Sequence, residues 1–304
     1  MTSMPASALS PTAPESAAVA RPRRPAGQDG ARSSTATALL LLGALYCLLP
    51  VTWVVIASTK NSAELFSTFT FAPSTHLWEN IQDLSAHRDG LFWRWMVNSA
   101  LYAGVGALLS TLVSAMAGYA LAKYQFAGKS TIFNILLAGV LVPSALLAIP
   151  QYLLLAQVGL TNTYWSVLLP SIINPYGIYL ARIYSAASVP DEIVEAARTD
   201  GANEARIFFS IAIPMMVPGL VTIFLFQFVA IWNNFILPYI MLGNDHLFPV
   251  TVGLSGLLNQ GASLPAMYTY VITGALLSII PLVALFLTLQ RYWKVDLAAG
   301  GVKA

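Results

Sequence analysis

The chain has 304 residues, of which 57% are hydrophobic and 9% charged, with a formal net charge of +2. A soluble globular domain carries about 25% charged residues, so this composition excludes one. The small net charge offers nothing to nucleic acid, and the alternation of a membrane β-barrel is missing, which leaves an all-α integral membrane protein as the expected fold class.

Residues 1–34 are mostly Ala, Pro, Ser and Thr, with four arginines, Arg21, Arg23, Arg24 and Arg32. Such a segment cannot bury enough apolar surface to offset chain entropy, so it reads as a disordered cytoplasmic tail ahead of a membrane domain at 35–304. The apolar run at about 36–58 is long enough to span a bilayer, which argues against a cleaved leader. Its Cys47 is the only cysteine and can form no internal disulfide.

Five further spans are expected at about 95–122, 131–157, 162–185, 209–240 and 267–290. Six spans put both termini on one side. Twelve of the fifteen Lys and Arg fall on that side, with only Lys60, Arg88 and Arg94 opposite, so the termini are expected in the cytoplasm. Prolines recur inside the spans, among them Pro143, Pro150, Pro170, Pro175, Pro218 and Pro281. Each removes a backbone donor and bends or breaks its helix. The first outer loop, about 59–94, is long enough for a small folded cap. The third, about 241–266, holds Asn244, Asp245, His246, Asn259 and Gln260 and reads as a shaped hydrogen-bonding loop.

Between residues 130 and 290 there are nine charged side chains, and five of them, Glu195, Arg198, Asp200, Glu204 and Arg206, lie in EAARTDGANEARIFFSIAIP at 195–214. Burying five charges at mid-bilayer would cost about 12–18 kcal/mol, so this stretch belongs outside the membrane. Ser188 with Asp191 suggests a capping box, Pro190 a first helical turn, and Asp191 and Glu192 complement the helix dipole. Ile193, Ala196 and Ala197 would share one face, and Gly201 would close the helix in the left-handed conformation. A second short helical piece then leads through Phe208 and Phe209 into the fifth span. A helix this short needs a partner to dock on.

The spacing Glu195-Ala196-Ala197, two residues, Asp200-Gly201-Ala202, eight residues, then Ile211-x-Ile213-Pro214 resembles the EAA signature of the membrane subunits of binding-protein-dependent ABC importers. The phrases NTYW at 162–165, SVPDEI at 188–193, WNNF at 232–235, QRYW at 290–293 and AGGVK at 299–303 are similar to the carbohydrate branch, the smaller partner of the maltose-type pair. Ile213 stands where Leu is usual, Asp296 where Gly is common and Gly301 where Ala is expected. The resemblance implies the type I importer architecture in a bacterial cytoplasmic membrane, with a coupling segment at 188–214 that docks on an ATPase through Glu195, Ala196, Ala197, Asp200, Gly201, Ala202 and Pro214. It implies as partners a second homologous permease subunit, an ATPase dimer carrying ATP and Mg, and an extracytoplasmic sugar-binding protein, reached by the third outer loop through Gly253, Asn259 and Gln260. No cofactor is expected on this chain itself.

Trp232, Asn233 and Asn234 are candidates for the solute path, because aromatic faces stack on sugar rings and amides match hydroxyls; helix packing is the equal alternative. Gly128-Lys129-Ser130-Thr131 looks like the tail of a phosphate loop but lacks the earlier Gly, where Lys123 stands. His76, His87 and His246 are scattered, so no metal is expected, and no nucleophile or acid pair marks an enzyme. The remaining alternative is an ATP-independent channel or carrier. An ion-coupled carrier needs buried charges that the middles of the spans do not supply.

Overall fold

The computed structural model describes residues 28–292, and these are helical with no strand. Helix α1, Gln28–Ala57, begins inside the segment read as a disordered tail; residues 1–27 lie outside the described part, as do the C-terminal 299–303 phrase, Asp296 and Gly301. From Ser34 to Ala57 α1 is uncharged and long enough to cross a bilayer.

The segment at 59–94 does fold, as α2, Ser62–Ser67, and α3, Leu77–Ala86. Asn61 opens α2 with a full capping box to Glu64. Lys60, 2% exposed, donates to the carbonyls of Phe69 and Thr70 at 2.7 and 3.2 Å, and Asn80 donates to those of Ser58 and Lys60. The cap is thus tied by side chains to backbone. Arg88, Asp89 and Gly90 all take positive φ and turn the chain into the next helix.

Helix α4, Leu91–Lys123, is the central element. One stripe of small or polar residues, Ser99, Ala103, Ala107, Ser110, Ser114 and Gly118, is buried at helical spacing. It lets neighbouring backbones come close, as membrane helices without a hydrophobic drive between them require. A Cβ at Gly118 would stand 2.5 Å from the Ala181 Cβ and 2.6 Å from the Arg182 nitrogen, so two backbones meet there.

Proline and capping chemistry set the breaks that follow. Helices α5, Lys129–Val140, and α6, Ser144–Gln157, form one expected span bent by 105°. The break falls where Val142, ahead of Pro143, is disfavoured in helix. The fourth expected span is two helices, α7, Tyr164–Ile172, and α8, Pro175–Ser188; Asn174 Oδ1 accepts the Gly177 N–H at 2.8 Å and Pro175 occupies the first turn. Then come α9, Asp191–Thr199, α10, Glu204–Ile207, a π-helical turn at Phe208–Ala212, and α11, Ile213–Trp232. The expected fifth span does not run on to 240: the helix stops at Trp232 and resumes as α12, Ile236–Met241, because Pro238 has no N–H for the Asn234 carbonyl four residues back and its ring would clash with it. Helices α13, Val250–Gln260, and α14, Ala266–Leu289, complete the described chain.

Among the described residues four helical runs are long and apolar enough to cross a membrane singly, α1, α4, α11 with its lead-in, and α14; the bent α5–α6 pair adds a fifth if it is one broken span rather than a re-entrant loop. The stretch expected as the fourth span holds α7 and α8, each too short to cross alone. Large side chains such as Ile135, Leu141 and Leu146 are 65%, 84% and 69% exposed. Apolar surface of this kind belongs against lipid or another apolar chain.

Candidate functional site

Helix α9 sits at one end of α4. Pro190 precedes it in extended conformation without any side-chain cap bond, and Ser188 is the last residue of α8. The expected capping box is therefore absent, because α8 runs on through Ser188 and leaves only Val189 and Pro190 as a linker. Asp191 and Glu192 do lie in the first turn and Arg198 in the last, each matching the helix dipole.

The far end of α9 explains the spacing of the motif. Gly201 has φ +83°. Its N–H donates to the Arg198 carbonyl and the Ala202 N–H reaches back to that of Ala197, both at 3.0 Å. This double closure needs a left-handed residue right after Asp200, and Gly takes that conformation without a Cβ clash. Asn203 then caps α10 by accepting the Arg206 N–H at 2.8 Å.

The faces of α9 differ from expectation in one respect. Val194 is 2% exposed and Ala197 packs beside it on a cluster of Ala115, Tyr119, Val189, Ile207, Phe208, Ala212 and Met216. Ala197 thus turns toward its own chain, because that cluster supplies the apolar partner a short helix needs, while Glu192, Ile193, Glu195 and Ala196 face outward. Pro214 lies two residues beyond the π turn, at the start of α11.

Two polar contacts fasten α9 and α10 to the end of α4. Lys123 Nζ donates to Asp191 Oδ1 at 2.7 Å, and this hydrogen bond and charge hold the Asp191 carboxyl below its ordinary value. The Tyr124 hydroxyl donates to Glu204 Oε2 at 2.8 Å, and Arg198 gives Nε and Nη2 to the same carboxylate at 2.7 and 3.2 Å. Burial, and then the hydrogen bond to Glu204, push the Tyr124 phenol up to about 12. Lys123, Tyr124, Asp191, Val194, Glu195 and Arg198 line a cleft of ≈ 650 Å³.

At the other end of α4 a second polar set pins the loop ahead of α13. Trp95 Nε1 donates to the Asp245 carbonyl, Asn98 Nδ2 to those of His246 and Phe248, and the Tyr102 hydroxyl to that of Leu247, all between 2.8 and 3.0 Å. Ser99 Oγ accepts the Val250 N–H, and Asn162 Oδ1 accepts those of Gly243 and Asn244. Arg88 pairs with Asp245. Gly253 is covered by Trp95, whose ring a Cβ would meet at 2.2 Å, whereas Asn259 and Gln260 are exposed.

The residues named for a solute path divide similarly. Trp232 is buried, its ring stacked on Phe228 with centroids 5.6 Å apart. Asn234 is held in the fold, its carbonyl accepting from Thr251 Oγ1 at 3.0 Å; Asn233 is exposed. Sequence reasoning missed Lys123, Tyr124, Trp95, Asn98, Ser99 and Tyr102. Asn98, Ser99 and Tyr102 had a readable signal, since they cluster at one-turn spacing in an otherwise apolar span. Lys123 and Tyr124 had none.

Residues 110–294, more than half of the chain and including every residue of the α9 site that lies beyond α4, match the family described as binding-protein-dependent transport system inner membrane component. The chain belongs to this family. It is 36% identical over 263 residues to the arabinooligosaccharides transport system permease protein AraQ of Halalkalibacterium halodurans, covering 86% of this chain and 92% of the relative. It is 32% identical over 256 residues to the lactose transport system permease protein LacG of Rhizobium radiobacter, covering 83% and 90%. Among solved structures, a chain of a bacterial ABC transporter involved in the import of the acidic polysaccharide alginate superposes with TM-score 0.76 at 24% identity, over 89% of this chain and 99% of that one. That likeness shows this permease to share the fold. The permease is thus a membrane component of a transport system, with its family match running through α9, α11 and α14.

Proposed function

We propose that this permease is one membrane subunit of an ATP-driven sugar importer and that α9 is the helix through which an ATPase subunit drives it. The observation that carries the reading is the outward face of α9. Glu192, Ile193, Glu195 and Ala196 present two carboxylates beside a small apolar patch on a helix that is closed at its C-terminal end and rooted in its own core. Such a face pairs with basic groups around a groove of another protein. Its position fits the cytoplasm, where twelve of the fifteen basic residues are expected under the charge rule. The loop at 243–248 and the exposed Asn259 and Gln260, at the opposite end of α4, then face a solute-binding protein. A second membrane subunit covers part of the apolar exterior. The sugar class rests on the names of the relatives.

Affinity-tagged permease extracted in detergent is expected to bring down an ATPase subunit, and cells carrying it to take up labelled arabinotriose, lactose or maltose only with the binding protein present. Glu195→Lys is expected to lower uptake at least about tenfold by setting a cation against a basic groove. Uptake that continues without any ATPase subunit, and is indifferent to Glu195→Lys, overturns the reading.

A further inference from the structure

We propose that α4 is a strut that carries the displacement of α9 across the membrane to the loop at 243–250, so that one chain links its two ends without routing the motion through α11. The proposal rests on the reading of α9 as the site of ATPase docking.

Of the two covalent routes from α9, one leads back through Val189 and Pro190 into α8, and the other, into α11, is compliant. It passes through the turn at 200–203, the four residues of α10 and the π turn at Phe208–Ala212 before α11 begins, and α11 then carries Pro218. Each of these interrupts regular helical hydrogen bonding, and π turns are where helices yield. By contrast α4 has no proline in 33 residues, a rod of about 50 Å at 1.5 Å per residue.

Both ends of the rod are fastened. At the α9 end the side chain of Lys123 is 6% exposed while that of Asp191 is 76% exposed. The ammonium is inside the protein and its one side-chain acceptor comes from the first turn of α9. A pair with one exposed partner is worth little by itself, but reversing either charge sets like charges together beside a buried side chain. The second clasp joins three elements, since the Glu204 carboxylate of α10 takes both Tyr124 beyond α4 and Arg198 of α9. Beneath it Tyr119 packs against Tyr124 and Phe208, with centroids 5.7 and 5.3 Å away. These residues make α9, α10 and the tip of α4 one body.

At the other end Trp95, Asn98, Ser99 and Tyr102 seize the backbone of residues 245–250 at five points. Side chain to backbone bonds of this kind move the loop with the helix whatever the loop's own side chains are. A push or tilt of α4 therefore repositions Gly243 to Phe248 and the start of α13. In the reverse direction, a protein pressing on that loop is felt at α9, because linkage between two sites is mutual.

The test is hydrogen exchange on the complete importer in lipid nanodiscs, with and without ATP plus vanadate, using the unaltered chain, Lys123→Asp, Asp191→Lys and the double exchange. In the unaltered chain nucleotide is expected to change exchange both at 191–199 and at 243–250, the latter by about threefold or more. Each single reversal is expected to abolish the change at 243–250 while the double exchange restores it. Folding is read from the same data, since a misfolded variant exchanges faster along the whole of α4 whereas lost coupling leaves α4 protected; singles that keep α4 protected but lose the response, with a double that does not regain it, overturn the strut. So do singles that leave the response at 243–250 intact. If the unaltered chain responds at 191–199 but not at 243–250, the strut alone falls; if 191–199 itself ignores nucleotide, the docking reading falls with it.

Discussion

Gly104 and Gly118 stand on the same helix but face different surroundings, and the same substitution should have opposite signs at the two. Nothing lies within 4 Å of a Cβ at Gly104, so alanine there gains helix propensity, about 0.5–1 kcal/mol. At Gly118 the added methyl meets Ala181 and the backbone of Arg182, which cannot swing aside, and overpacking costs about 1–3 kcal/mol. Thermal unfolding in detergent followed by tryptophan fluorescence is expected to show Gly104→Ala melting above the unaltered protein and Gly118→Ala below it. Asp191 gives a second expectation at this scale. Its carboxyl is held below the ordinary value of 3.8, so its contribution to stability is present above that pH and is lost as pH falls through the folded value. Unfolding midpoints measured below about pH 4 should therefore fall more steeply for the unaltered chain than for Asp191→Asn, which has no carboxylate to protonate.

Residue roles were only partly legible before the fold. The left-handed Gly201 could be read directly, since the turn after a short charged helix has few other solutions. Lys123 and Tyr124 could not, because their importance comes from lying opposite Asp191 and Glu204, 68 and 80 residues away. Trp232 stayed open between sugar platform and helix packing for the same reason, since its ring is seen to be buried and stacked on Phe228, one turn back, only in the fold.

At the scale of elements, the C-terminal closure of α9 is the feature most open to test. A Cβ at Gly201 would meet nothing within 4 Å, so any cost of substitution is backbone strain alone. Gly201→Val is expected to weaken the closure by about 1–2 kcal/mol, and Gly201→Asn by clearly less, because Asn tolerates the left-handed region. Amide exchange at 196–202 measures this, with faster exchange in the Val variant expected and equal exchange in both contradicting it. Pro143 and Pro175 were visible as candidate breaks, but so were Pro150, Pro170, Pro218 and Pro281, which lie inside helices, so sequence did not say which prolines would divide a span. The break after Trp232 belongs with them, since Pro238 cannot donate to the Asn234 carbonyl four residues back, which accepts from Thr251 Oγ1 instead. The capping box ahead of α9 failed because its pattern fits any Ser three residues before an acid, and here that Ser still belongs to α8.

For the whole molecule, composition and apolar run length gave the fold class, because the bilayer permits few other solutions. They could not give the division of the fourth span or the bend of the third, which depend on neighbours packing around freed backbone groups. The α9 segment stood out in the sequence because charge is costly in lipid, whereas the loop grip by α4 uses neutral residues that do not. The account as a whole claims that α9 receives work from a separate ATPase. Its most direct test places a cysteine at position 195 in a Cys47→Ser background, Cys47 being the only native cysteine, and treats the intact importer with a short bifunctional thiol–amine reagent. The account predicts cross-linking to the ATPase subunit, at a yield that shifts between nucleotide-free and ATP–vanadate states. An importer that still takes up sugar, yet gives no such cross-link in either state, would contradict it.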